Sequence, residues 1–255
     1  MIDVHYHYHF CGGEIAEDIK KIGQQLEQYQ IEKALLHIIS EDSMDKKYYT
    51  ADWGNRIIPS IMVNPFSKNM ENDIKNLSEH GIRFVKLLPY EQMIKREHYD
   101  KVANLCKCIE QYGMIVVICG SYGSELIYQT NGVELTEYVL RHHIKSPVIL
   151  AHGGMVKVLD TLSLMMVYDN LYMDIAYTLP FWWGSSVITD YAFVLHKLNY
   201  ERTFFGSDAP YYSLEEALHY FELFCSTYHI EQSNKEKLMK TNFNLFYEKY
   251  VNGVL

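Results

Sequence analysis

The chain is short of the features that mark secreted, membrane-bound or nucleic-acid-binding proteins. Only five of its 255 residues are cysteine (Cys11, Cys106, Cys108, Cys119 and Cys225), an odd number with no framework spacing. A chain of this length buries a core without disulfides, so reduced thiols and a cytoplasmic setting are expected. Cys106 and Cys108, two apart on an expected helix, point to different sides and make no joint metal site. Basic residues are outnumbered, 23 Lys and Arg against 32 Asp and Glu, for a formal charge of -9. No Lys/Arg run supplies the basic face that DNA or RNA requires, so no nucleic-acid partner is expected. The longest apolar runs, such as 114–119, fall far below the roughly 20 residues of a membrane span. The N-terminus lacks a basic stretch leading into an apolar one, so no signal peptide is expected either. Prolines number six, and no Pro/Gly/Ser-rich linker interrupts the sequence, which therefore reads as one domain over 1–255.

What is present is alternation. Hydrophobic residues make up 48% of the chain, enough for a substantial core. Short β-rich runs at 2–7, 34–40, 57–63, 83–88, 115–119, 148–152, 171–175 and 203–206 predict strands. Amphipathic stretches at 14–29, 70–80, 98–112, 135–143, 184–198 and 214–228 predict helices, and a final helix is expected over 235–250. The polar stretch 41–56 reads as a long loop. Strands alternating with helices imply parallel pairing through right-handed crossovers. Eight of them predict an α/β fold closed into a (β/α)8 TIM-type barrel, with an open doubly wound sheet as the alternative.

Three segments carry candidate chemistry. In Ile2-Asp3-Val4-His5-Tyr6-His7-Tyr8-His9 a period of two sets Asp3, His5, His7 and His9 on one face. Imidazoles turned inward from a first barrel strand stand where a core would hold Val or Leu, and His5 and His7 can converge on one ion. Val148-Ile149-Leu150-Ala151-His152-Gly153-Gly154 ends an apolar strand in a histidine, at the tip where barrel enzymes keep catalytic groups. Phe204-Phe205-Gly206-Ser207-Asp208-Ala209-Pro210 sets an acid just beyond a strand. There it can ligate a metal, bind its water, act as general base, or serve only as a turn residue. Neutral imidazole and carboxylate together suit Zn²⁺ or Mn²⁺. Tyrosines such as Tyr122, Tyr177, Tyr211 and Tyr212 follow expected strand ends and would line a substrate pocket.

Taken together, these segments resemble the amidohydrolase superfamily, and in particular the amidohydrolase 2 family, which includes aminocarboxymuconate-semialdehyde decarboxylase and related lactone hydrolases. The opening Ile-Asp-Val-His-Xaa-His, Leu150–Gly154 and Phe205–Pro210 look like its first, sixth and eighth strand motifs. Phe84-Val85-Lys86-Leu87-Leu88-Pro89 looks like its fourth, and Asn242-Phe243-Asn244-Leu245-Phe246 like its closing helix. The resemblance implies His5 and His7 as metal ligands, with Asp208 a ligand that also orients the attacking water. It implies His152 beside the substrate to polarise it or shuttle a proton, and Lys86 turned to the mouth, where it can hold a substrate carboxylate or form a salt bridge with Asp208 or Asp3. One departure stands out. The family ends its fifth strand with a metal-binding histidine, where this chain has Ile118-Cys119-Gly120. Cys119 either ligates as a thiolate or packs as a small hydrophobe, and His9 is a substitute ligand.

The expectation is thus a metal-dependent hydrolase that cleaves a C–O or C–N bond of a small molecule through metal-activated water. The alternatives on the same framework are a metal-independent lactonase and a non-oxidative decarboxylase. An alternative of another class is a non-catalytic barrel that binds a ligand. A deoxyribonuclease of the superfamily is disfavoured, since those proteins place Glu where Lys86 stands. The expected partner is a small-molecule substrate, without a membrane, and self-association into a homo-oligomer is left open.

Overall fold

The computed structural model describes residues 1–8, 10, 13–40, 42–121, 126 and 128–253. Among these, eight strands form one parallel sheet in sequence order. They are β1 (Ile2–His7), β2 (Lys33–Ile38), β3 (Ile57–Met62), β4 (Phe84–Leu87), β5 (Ile115–Cys119), β6 (Val148–Ala151), β7 (Leu171–Asp174) and β8 (Thr203–Phe204). The segment after β8 returns to β1. Val4 N donates to Phe205 O (3.0 Å), Asp208 N to His5 O (2.8 Å) and His7 N to Ala209 O (2.6 Å). The fold is a (β/α)8 barrel, as the alternation predicts.

Between the strands run α1 (Ile15–Gln28), α2 (Lys46–Tyr49), α3 (Met70–Glu79), α4 (Tyr99–Gln111), α5 (Gly132–Arg141), α6 (Val158–Met165), α7 (Thr178–Phe181) and α8 (Ser186–Lys197). After β8 come α9 (Leu214–Thr227), α10 (Gln232–Glu236) and α11 (Asn242–Tyr250). Four boundaries depart from the sequence reading, each for a physical reason. The stretch expected to be a long loop at 41–56 contains α2, started by the Asp45 side chain accepting from Lys47 N. Helix α5 begins three residues early because the Asn131 carboxamide caps Val133 N and Glu134 N. Helix α6 was not expected: Leu159 and Met166 are exposed beside buried Val158 and Met165, so the segment has little amphipathic contrast. The single closing helix is instead α10 and α11 joined by a π-turn at Lys237–Thr241. A π-turn diverts a carbonyl from the regular helical ladder, and here Leu238 O accepts from Phe205 N (2.9 Å), just past β8.

Close contacts group the chain into two compact units. One comprises Met1–His37, Ala51–Ile58 and Met173–Leu255. In it Asp18, Ile22 and Leu26 form one buried stripe of α1, spaced four apart. Tyr6, on the face of β1 opposite His5 and His7, donates its hydroxyl to Gln25 Oε1 of α1 (2.6 Å). The other unit comprises Ile38–Thr50 and Pro59–Tyr172. There β4, β5 and β6 pair in register, Val85 beside Val116 and Val116 beside Val148, in a fully buried Val/Ile/Leu layer. Gly132 opens α5 against the Cys119 carbonyl, leaving no room for a β-carbon.

Candidate functional site

In the first unit the sequence places two imidazoles and one carboxylate together. His5 and His7 lie on the same face of β1, and Asp208 follows β8 with its backbone in the left-handed region at φ 62°. Gly206 makes this approach possible, because a β-carbon there would stand 2.6 Å from His5 Cβ. His5 Nε2 and His7 Nε2 each lie 3.2 Å from the same oxygen, Asp208 Oδ1. All three residues are buried.

The outer ring nitrogens fix which tautomer faces inward. His5 Nδ1 is 3.0 Å from Asp174 Oδ2, and His7 Nδ1 is 3.3 Å from the His37 carbonyl. A carboxylate and a carbonyl only accept, so each Nδ1 carries the proton and donates. Each Nε2 then turns a lone pair toward one carboxylate oxygen. Lone pairs arranged this way repel unless a proton or a metal cation lies among them. For a cation the fit is good. Ligand atoms about 2.0–2.2 Å from zinc at tetrahedral angles are roughly 3.3–3.6 Å apart, close to the separations here. Carboxylate and carbonyl partners on the outer nitrogens are the usual support for metal-binding histidines. His5, His7 and Asp208 form a group able to hold a metal ion.

Sequence reasoning missed Asp174 and His37. Asp174 ends β7, but the strand read as 171–175 hides it as an interior position. His37 sits on β2 opposite His7, with its ring edge-on to His5 at 4.6 Å between centroids. Deeper in β1, Asp3 is completely buried. Burial pushes its carboxyl up to about 7, against hydrogen bonds from Ser207 and His5 and with the nearby Asp174 charge adding to the rise.

In the second unit the structure brings Cys119, His152 and Lys86 together. Cys119 ends β5 beside Ala151, the residue before His152. Its Sγ shares a hydrogen bond with Ser121 Oγ at 3.2 Å. Burial would push the thiol up. The charges of His152 and Lys86 and the hydrogen bonds from His152 and Ser121 outweigh it, holding the thiol below its usual range. A lowered pKa means deprotonation at lower pH, so thiolate ultraviolet absorbance should appear at a lower pH in the native protein than in the unfolded chain. Cys119→Ser should remove it, whereas the Cys106 thiol, pushed up to about 12 by burial, contributes none. An unchanged titration in the variant would assign Cys119 to packing.

Aromatic side chains border the first cluster. Tyr177 has its hydroxyl pushed up by burial, with the charges of Tyr212 and Asp208 adding to the rise. It packs on Phe181 and Tyr212 at about 5 Å between ring centroids. Tyr211 meets the His7 ring edge-on at 5.5 Å. A cavity of about 500 Å³ adjoins His7, walled by Tyr8, Tyr29, Tyr211, Gln25 and Glu216. Tyr122 and His9, also singled out from the sequence, lie outside the described residues. His152, Tyr177 and Asp208 share one feature the sequence does not announce: each adopts a positive φ just past a strand end. Non-glycine residues held this way cost about 1–3 kcal/mol each and concentrate at functional sites.

Barrel, strand-tip histidines and carboxylate cluster define a class of metal-capable α/β-barrel enzymes. The chain belongs to the amidohydrolase family, whose model matches residues 48–242. The His5–His7 strand precedes that match. No curated protein matches the chain in sequence. Solved structures share its fold. A probable 2-pyrone-4,6-dicarboxylic acid hydrolase from Acinetobacter baumannii, with citric acid bound, is 15% identical, covers 97% of this chain and 98% of its own, and has a TM-score of 0.70. An amidohydrolase from Burkholderia multivorans with bound zinc is 10% identical over 97% and 98%, with a TM-score of 0.67. A 2,6-dihydroxybenzoate decarboxylase from Rhizobium is 10% identical over 97% of each chain, with a TM-score of 0.62. Among the described residues no helix is long and apolar enough to cross a membrane.

Proposed function

We propose that the protein is a metal-dependent hydrolase that cleaves a C–O or C–N bond of a small molecule, with Zn²⁺ or Mn²⁺ held by His5, His7 and Asp208. The observation that carries this reading is the pair of Nε2 lone pairs aimed at one Asp208 oxygen, each 3.2 Å away. When bound, the ion supplies Lewis acidity that brings the pKa of water toward neutrality. Asp208 orients the attacking water and takes its proton. Asp174 and the His37 carbonyl keep both imidazoles in the tautomer that presents Nε2. His152 polarises the substrate or returns the proton to the leaving group, steadied by its bond to Cys119. Its place at the tip of β6, the end at which barrels carry their chemistry, supports that role. Lys86 holds a substrate carboxylate, and Tyr177 with Tyr122 contacts the substrate's ring.

Elemental analysis of protein never exposed to chelator should find roughly one transition metal per chain. Added Zn²⁺ or Mn²⁺ should stabilise the stripped protein, by about 2.7 kcal/mol at about 100 times the Kd. A panel of lactones, cyclic amides, esters and unsaturated carboxylic acids should then reveal turnover. Inclusion of dihydroxybenzoates tests decarboxylation alongside, the reaction named for one structure of the same fold. No metal and no stabilisation would sink the reading.

A further inference from the structure

Asp208 has to be held at a fixed distance from His5 and His7 although it lies outside regular structure. The β8 strand ends at Phe204, the next amide bonds to Leu238 O rather than to a strand, and Asp208 itself is left-handed. Beside the backbone bonds Asp208 N to His5 O and His7 N to Ala209 O runs a set of buried polar side-chain bonds between residues flanking the cluster. Asp3, two residues before His5, accepts from His5 N (3.1 Å) and Ser207 N (3.0 Å) on Oδ1, and from Ser207 Oγ (2.6 Å) on Oδ2. Ser207 Oγ in turn accepts from Ala209 N at 3.0 Å, so one hydroxyl binds the residues on both sides of Asp208. Both side chains are fully buried, with no exposed surface.

We infer that Asp3 and Ser207 are positioning residues: their buried bonds set the placement of Asp208 against His5, and through it the affinity of the site for its metal. The inference rests on the metal reading above. Short bonds from N–H and O–H donors to a carboxylate are the stronger kind. The two anchors lie one or two positions from the ligands, so a rotation at Ser207 passes directly to Asp208. Bonds one shell removed from metal ligands are worth about 10–100-fold in metal affinity.

The test compares the parent with Ser207→Ala, Asp3→Asn and the double variant. Zn²⁺ affinity is measured by competition with a chromophoric chelator, and folding of the metal-free proteins by circular dichroism. Each single variant should bind Zn²⁺ about 10–100-fold more weakly. The double variant should be little worse than the weaker single one, because all three break the same connection. Ser207→Ala removes one oxygen and keeps the backbone, so it remains informative should Asp3→Asn fold poorly. A merely structural role would lower the metal-free melting temperature and leave the Kd of the folded protein unchanged. Such an outcome in Ser207→Ala overturns the inference. A parent that binds no Zn²⁺ overturns the metal reading instead, and the two failures are distinguishable on the same titration.

Discussion

Asp208→Asn should lower turnover by about 10²-fold or more, the loss expected when a general base is removed, while the fold is kept. Asparagine has nearly the shape of aspartate but no basic oxygen, and it brings an N–H₂ group toward His5 Nε2 and His7 Nε2. The one oxygen that both imidazoles approach is thereby made neutral. Metal affinity should fall with the rate. Stability should change by only a few degrees in the metal-free protein, since the substitution opens no cavity. His152→Asn should also slow the chemical step, because it removes the group proposed to polarise the substrate or return a proton. The measurements are steady-state rates on whichever substrate of the panel responds, with metal content determined on the same samples. Parental activity in Asp208→Asn would remove this residue from the mechanism.

Gly206→Ala should disable the site without touching a polar atom. The added β-carbon would lie 2.6 Å from His5 Cβ and 3.0 Å from Ala176 Cβ, both in packed surroundings. Overpacking of this kind costs about 1–3 kcal/mol and is relieved by moving whichever neighbour yields. His5 is that neighbour, so metal affinity should drop together with the melting temperature. Gly23→Ala is the contrast. It sits in α1 with nothing within 4 Å of the new carbon, and should stabilise by about 0.4–1 kcal/mol. Thermal melts and zinc titrations of the two variants check both halves of the comparison. Equal behaviour of the two glycine variants would contradict it.

Much of the barrel was legible because burial writes itself into the sequence as runs of Val, Ile and Leu. Strands β1 and β5 match their expected spans, and the others differ at one or both ends by one or two residues. His5, His7 and Asp208 were legible for the opposite reason: polar residues at positions where a core wants apolar ones. Asp174 obeys the same logic but was hidden, because the apolar run continues through Ile175 and the acid looked interior. His37 was hidden likewise, inside a strand read as 34–40. Helix α6 escaped because its outward face is as apolar as its inward one. The positive φ of His152, Tyr177 and Asp208 has no one-dimensional signature, since only the surrounding packing selects it. The π-turn at Lys237–Thr241 reads as ordinary helix in the sequence, and the bond its Leu238 carbonyl accepts from Phe205 N is a long-range one.

The bond between Asp3 and Ser207 joins residues 204 positions apart, and it has a consequence for how the protein is made. During synthesis β1 leaves the ribosome first, carrying a buried acid and two histidines whose partners do not yet exist. Asp174 follows His5 by 169 positions, Asp208 comes later still, and Leu238, which holds the chain beside Asp208, comes after both. A growing chain can fold domain by domain only where contacts are local, and this cluster is assembled from both extremes of the sequence. On the proposed metal reading, a chain made only as far as β1 displays its histidines as an open pair, and the complete cluster comes into being only after Asp208 and Leu238 have been made.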